Sequence, residues 1–254
     1  MSRNTLAALA LLALAAPGHA ADAPATVGEP APEYSLSANV TLASQYRYRG
    51  LMQTNNQPAI QGGFDFTHAS GLYLGNWNSS ISWLNDGNSK VSAPVEMDFY
   101  GGYKGNLAPN VPFDLGVLQY YYPGDYPSGY TRPDTTELYA GLGYGPVLFK
   151  YSIAMTNLFG FAASKYSQYF DLSGNFDTGF WDLTVNAHVG HQTVRNVTDG
   201  AYTDWKLGLT KDFGQGLTIS LAYLDTNADR AVYTNSRGRY MGRATGQLSL
   251  TRTF

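Results

Sequence analysis

Charged side chains in this chain recur at alternate positions between apolar ones, and that spacing limits what chemistry is open to them. Arg47 and Arg49 alternate with Tyr46 and Tyr48, and Glu96 and Asp98 alternate with Met97 and Phe99. Asp65, Asp114 and Lys150 each stand between two apolar or aromatic neighbours, and Glu137 precedes Leu138. Residues two apart on a β-strand share a face, so each segment sets a row of charge against a row of hydrocarbon. Fixed charges of both signs on one wall can ring an aqueous path and bias what crosses it, or they can pair with one another and close it. Arg47, Arg49, Asp65, Glu96, Asp98, Lys104, Glu137, Lys150 and Arg243 are the candidates for contact with solute in such a path.

Catalytic and metal chemistry are poorly provided for. The chain has no cysteine, which excludes a thiolate metal site, a disulfide framework and a lipoprotein anchor. Its four histidines are His19, His68, His188 and His191. His188 can share the face of Asn186, while His191 must point the other way. A Ser-His-acid arrangement needs a serine within hydrogen-bond reach of the imidazole, and no signature surrounds any serine here. His188 is the only candidate base, and the expectation is a protein that is not an enzyme, with no cofactor. No calcium loop and no His/carboxylate cluster with ligand spacing is present.

Placing those rows of charge requires many strands. Period-two reading gives twelve. In the first, Leu36, Ala38, Val40, Leu42, Tyr46 and Tyr48 form the apolar face, opposite Ser37, Asn39, Thr41, Gln45, Arg47 and Arg49. The second covers residues 59–68, with Ile60, Phe64 and Phe66 outward. The third puts Tyr73, Trp77, Ile81 and Trp83 outward, and the fourth Val95, Met97, Phe99 and Tyr103. A fifth spans residues 111–122, and a sixth and seventh meet at Gly145-Pro146. An eighth and ninth flank residues 177–179, and a tenth and eleventh meet at residues 213–216. The twelfth runs from Arg239 to Phe254.

Connections after the even strands are short, and those after the odd strands are longer and more polar. Residues 105–112, after the fourth strand, fit that asymmetry poorly. The loop at residues 122–136, rich in Pro, Gly and Tyr, is long enough to fold inward as a constriction or outward as a contact surface. Short turns on one side and longer loops on the other are expected of a transmembrane barrel.

The chain opens with Arg3, an apolar run over residues 6–16 and small residues up to Ala20, the pattern of an export signal cleaved after residue 20. Losing Arg3 would take the formal net charge from −3 to −4. That balance gives no case for nucleic-acid binding. No stretch is apolar over the roughly 18 residues a spanning helix needs. A membrane protein of this kind must therefore be a closed barrel. Its mean hydropathy of −0.24 fits, because alternating strands average to near neutrality. The last strand ends on Leu248, Leu250 and Phe254 facing lipid, an ending suited to recognition by the barrel-assembly machinery.

Residues 44–50 (Ser-Gln-Tyr-Arg-Tyr-Arg-Gly), Gln53-Thr54, residues 58–63 (Pro-Ala-Ile-Gln-Gly-Gly) and residues 70–77 (Ser-Gly-Leu-Tyr-Leu-Gly-Asn-Trp) resemble the TorF family of porin-like proteins. Further likeness lies in residues 96–103, 120–124 and 137–139, and it thins in the last third. Gln45 and Met52 depart from the pattern. The resemblance implies an outer-membrane barrel and supplies neither a substrate nor a catalytic residue.

The expectation is thus an all-β protein: one transmembrane antiparallel up-and-down barrel of about twelve strands. Residues 1–20 would be the signal, 21–33 a disordered periplasmic lead, and 34–254 a barrel in the outer membrane of a Gram-negative bacterium. It would contact lipid outside and small polar solutes or ions within. Its inward charges are Arg47, Arg49, Lys104, Lys150, Lys165, Lys206 and Arg243 against Asp65, Glu96, Asp98, Asp114, Glu137, Asp171, Asp182 and Asp204. A lumen for sugar acids calls for tracks of excess Arg and Lys, and these signs nearly balance. The alternatives are a structural or adhesive barrel with an ion-paired lumen and, more remotely, an outer-membrane hydrolase.

Overall fold

The computed structural model describes residues 32–254. The expected signal and all but the last two residues of the expected lead lie outside the described residues. The elements are β1 (Tyr34–Ala43), β2 (Arg47–Tyr48), β3 (Leu51–Met52), β4 (Ala59–His68), β5 (Leu72–Ser80), α1 (Trp83–Gly87), β6 (Val95–Ala108), β7 (Val111–Tyr121), β8 (Thr135–Tyr144), β9 (Val147–Ala154), β10 (Gln168–Asp177), β11 (Leu183–Thr193), β12 (Tyr202–Asp212), β13 (Leu217–Thr226) and β14 (Thr245–Thr253). Among the described residues, β1 and β4 to β14 form one closed antiparallel barrel of twelve strands. Leu42 of β1 lies opposite Leu250 of β14 on one side and Ile60 of β4 on the other. No helix among the described residues is long and apolar enough to cross a membrane.

Alternation decides which face is which. Leu36 and Leu42 on β1, Leu74 on β5, Leu207 on β12 and Leu221 on β13 are all exposed on the outer surface. One rim carries Tyr34, Tyr144, Phe180, Trp181, Phe213 and Phe254, also exposed. Aromatic rings at this level suit a membrane interface. Both ends of the barrel sequence lie at this rim with the short turns, residues 69–71, 109–110, 145–146, 178–182 and 213–216. The long connections, residues 44–58, 81–94, 122–134, 155–167, 194–201 and 227–244, gather at the opposite mouth.

Four features of the strand reading are corrected by the structure. Tyr73 and Trp77 of β5 point inward, and Leu72 and Leu74 take the outer face, so the third strand is inverted relative to expectation. The first strand stops at Ala43, and Tyr46 and Tyr48 turn into the lumen instead of facing outward. The poorly fitting connection resolves too: β6 runs through Gly105 to Ala108, and the turn is Pro109-Asn110, with Asn110 at φ 62°. The last strand begins at Thr245, six residues after Arg239.

The main hydrophobic core lies inside the mouth of the barrel. Tyr46, Trp77, Leu84, Val91, Leu118, Tyr120 and Tyr122 form one buried cluster there, drawn from strands and from loops together. Inward glycines seat lumen rings: a Cβ on Gly116 would collide with Tyr139 of this cluster, and one on Gly190 with Tyr169 outside it.

Candidate functional site

The site is built on residues 44–58, which leave the wall at Ala43 and fold across the mouth. Their centre is a small hairpin of β2 and β3, with Arg47 opposite Met52 and Tyr48 opposite Leu51. Its two-residue tip, Arg49-Gly50, has φ of 45° and 76°. Both central residues of a type I′ turn need positive φ, which Gly takes freely and Arg takes at a cost. The strained tip carries Arg49 across the lumen to residues of β8, β10 and β11. Gly50 presses on the wall beyond, where a Cβ would lie 2.7 Å from Asp204 Cβ and 3.0 Å from Thr226 Cβ.

Arg49 makes a bidentate contact with Glu137 of β8: Nη1 donates to Oε1 at 3.0 Å and Nη2 to Oε2 at 2.8 Å. Nη1 also donates to Gln192 Oε1 of β11 at 2.7 Å, and the guanidinium lies 4.1 Å from the centre of the Tyr169 ring. Fork-to-fork pairing of this kind is strong and directional. Arg47 is held otherwise, by neutral acceptors only: Gln45 Oε1 at 3.0 Å, Met241 O at 2.7 Å and Asn56 Oδ1 at 2.7 Å. Burial without a counter-charge pulls its guanidinium down to about 10.

Phenols complete the closure. Tyr46 and Tyr122 donate to the two oxygens of Glu96 at 2.7 and 2.8 Å, and Tyr48 meets Tyr120 hydroxyl to hydroxyl. Phe159, from residues 155–167, packs edge-on against both Tyr48 and Tyr120. From residues 122–134, Tyr122 stacks edge-on with Trp83, and Asp125 bridges to Ser92. The loop that could have folded either way thus caps the mouth. Residues 227–244 cover the hairpin from above, with Met52 N donating to Met241 O at 2.9 Å.

Below the mouth the wall changes character. Tyr73 donates to Asp114 at 2.6 Å and meets Tyr139, and Lys150 lies 3.9 Å from the centre of the Tyr139 ring. Asp65 accepts from Tyr100 at 2.6 Å, and Lys104 reaches Thr67 at 3.5 Å. Towards the short-turn end several inward side chains, among them Asn39, Lys104, Ser173, Asn186 and Ser249, are half-buried, while Thr251 and Thr253 are buried. That half is a polar vestibule.

Three of the expected inward charges lie elsewhere. Arg243 is exposed in the connection before β14, because the last strand starts later than its alternation implied. Lys165 is exposed in residues 155–167, and Asp182 sits in the turn before β11, paired with Lys211 at 3.0 Å. Arg47 and Arg49 come into the lumen from the infolded segment and not from the end of β1. Tyr169, Gln192, Tyr46 and Tyr122 belong to the site and were not among its candidates; the alternation of β10 and β11 already put Tyr169 and Gln192 on the lumen face.

His188 faces inward and is bracketed by carboxylates. Asp171 Oδ2 is 3.1 Å from Nδ1 and Asp204 Oδ2 is 2.8 Å from Nε2. Ser173 donates to Asp171 and lies 3.4 Å from Nδ1. An imidazole engaged by acids at both nitrogens is not placed as a free base toward that serine. Among the described residues no three His, Asp or Glu side chains are arranged to hold a metal ion.

A family model described as "Bacterial protein of unknown function (Gcw_chp)" matches residues 27–254. The chain belongs to this family. No curated protein matches the Gcw_chp chain. Among solved structures, it is similar to the KdgM porin in complex with disordered oligogalacturonate, at 8% identity and a TM-score of 0.51, covering 86% of this chain and 98% of that one. The NanC porin is similar at 11% identity and a TM-score of 0.51, covering 87% and 99%. At such identities the likeness shows a shared barrel fold and does not extend to solute.

Proposed function

We propose that this Gcw_chp protein is a porin-like channel of the Gram-negative outer membrane, passing small hydrophilic solutes or ions, and that residues 44–58 hold it closed. One observation carries the reading: a polar vestibule leads to a mouth blocked by a segment that only side-chain and loop contacts hold in place. A permanent plug needs no strained Arg49 tip reaching a carboxylate on the far wall. Residues 44–54, which carry part of the TorF resemblance, are the blocking segment; the family model that matches is Gcw_chp, and TorF membership stays part of this proposal. In this reading Arg47, Arg49, Glu96, Asp98 and Glu137 line the narrow part, Asp65, Lys104 and Lys150 the wall below, and Arg243 the outer rim.

The KdgM porin was solved with an acidic oligosaccharide, but the mixed signs of this lumen argue against a dedicated sugar-acid path here. Residues 1–20 would direct export, the apolar rows would meet lipid, and Phe254 would engage the assembly machinery. A closed, purely structural barrel is the second reading, favoured by how fully the mouth is packed.

Planar-bilayer recording separates the two. Arg47→Ala/Arg49→Ala barrels are expected to become more cation-preferring and Glu96→Ala/Asp98→Ala barrels more anion-preferring, because charges lining a pore bias permeant ions by their local field. Inserted wild-type and variant barrels that all stay silent would leave the structural reading in place.

A further inference from the structure

The carboxylates at the mouth are unequally provided for. Glu137 has Arg49, and Glu96 has two phenols. Asp98, two residues further along the same inward face of β6, is 3% exposed, yet its Oδ1 has no hydrogen-bond partner and no ion pair reaches it among the described residues. Glu96 stands two residues before it on the same face of β6, and Tyr120, directly opposite it on β7, reaches Glu137 Oε2 at 3.4 Å. The nearest guanidiniums are committed elsewhere, Arg49 to Glu137 and Arg47 to neutral acceptors. Lys150 stacks on Tyr139. Three carboxylates therefore share one paired arginine.

A buried carboxylate with no partner is costly, and the cost is removed by taking up a proton or by a counter-ion that the fold itself does not supply. Position adds to the argument. On β6, Asp98 is the last buried inward residue, and the next, Tyr100, is half-buried in the vestibule. Asp98 thus lies at the lower edge of the packed mouth, next to the half-buried wall. The phenol oxygens of Tyr48 and Tyr120 lie in the same cluster as Glu137, with Tyr120 donating to Glu137 Oε2 at 3.4 Å.

We infer that Asp98 is a binding station for a small monovalent cation such as Na⁺ or K⁺, held by its carboxylate under the field of Glu96 and Glu137. A hard cation prefers such oxygen donors. A single unpartnered carboxylate oxygen suits a singly charged, loosely held ion better than a chelated divalent one. This names the solute class of the channel and rests on that reading.

The test uses the full chain refolded in detergent and requires no conductance. Thermal unfolding is followed by heat-modifiable gel migration in NaCl, KCl, CaCl₂ and N-methylglucamine chloride at equal ionic strength. Wild type is expected to melt higher in Na⁺ or K⁺ than in the bulky organic cation. Asp98→Asn, nearly isosteric, is expected to lose that dependence while melting no lower than wild type does in N-methylglucamine. Equal wild-type melting in all four salts would overturn the site, and so would an increase confined to Ca²⁺ or one that survives in Asp98→Asn. If cations stabilise wild type through Asp98 but no barrel conducts, the site stands and the channel reading fails.

Discussion

The two halves of the lumen are built on different principles. At the short-turn end, strands alone make the wall: inward positions are mostly polar, and several, among them Asn39, Lys104, Ser173 and Ser249, are half-buried. At the mouth, segments outside the barrel strands fill the space, and the buried rings of Tyr46, Tyr120 and Tyr122 are tied by hydroxyls to carboxylates or to one another. An eight-stranded barrel is filled by its own side chains and a sixteen-stranded one leaves a channel, so twelve strands permit a lumen that is filled in one half and less so in the other. The difference between the halves is therefore one inserted hairpin and the loops that grip it. That makes the mouth the adjustable part and the vestibule the fixed one.

Removing the hairpin is the sharpest test of that contrast. Ala43 and Ala59 are direct partners across β1 and β4, so a short Gly/Ser turn can replace residues 45–57 without disturbing the wall. Single-channel conductance should rise by about an order of magnitude or more over the intact chain, since the conduit would then be limited by the barrel and not by its plug. A deletion variant that inserts and conducts no better than wild type would mean that the other loops close the mouth unaided.

Next in size is the Arg49–Glu137 pair, with side chains 6% and 3% exposed. Breaking one partner of a buried pair leaves a stranded charge and costs roughly 3–5 kcal/mol, whereas replacing both by apolar groups is often near neutral. Arg49→Met and Glu137→Met should each loosen the mouth, seen as more frequent openings and faster proteolysis of residues 44–58. The double variant should recover most of the closed behaviour. Additive losses across that cycle would show that Arg49 acts mainly through Tyr169 and Gln192.

Gly50 gives a smaller effect by a different route. Its φ of 76° and the nearness of Asp204 and Thr226 leave no room for a methyl group. Gly50→Ala should cost on the order of 1–3 kcal/mol of strain at the tip and raise open probability without altering charge selectivity. A shift in selectivity would point to displaced Asp204 rather than a displaced hairpin.

The vestibule was far more legible in the sequence than the mouth. Period two needs only an apolar row and a polar row, and β1, β4, β6, β12 and β13 supply both. The mouth defeats that logic because Tyr46-Arg47-Tyr48-Arg49 continues the alternation of β1 without a break, so a plug reads as more wall. β5 defeats it differently: Tyr73 and Trp77 look lipid-facing by residue type, but their rings are needed inside, Tyr73 on Asp114 and Trp77 against Tyr46. Gly105 suggested a turn that Pro109-Asn110 provides. The charged residues at the site were nameable from their spacing. The pairing of Arg49 with Glu137, across the lumen from the segment that carries it, depends on closure and has no local signature.

Lys104 supplies the smallest expected effect and the control for all the others. It stands on the lower wall, half-buried, with Thr67 at 3.5 Å, the Tyr73 ring at 5.4 Å and Asp114 directly opposite it on β7. A charge facing water in a wide space is screened over about 8–10 Å at physiological salt, and its field on a passing ion is correspondingly weak. Lys104→Ala should leave folding and open probability unchanged and shift reversal potential only slightly toward cations, more at low salt than at high. In the mouth, where water is excluded, removing Arg49 acts at a lower dielectric and its effect should persist as salt is raised. If Lys104→Ala instead shifts selectivity as strongly as Arg49→Ala, and equally at high salt, the narrow part of the path lies in the vestibule. The contrast between a fixed wide half and an adjustable tight half would then have to be reversed.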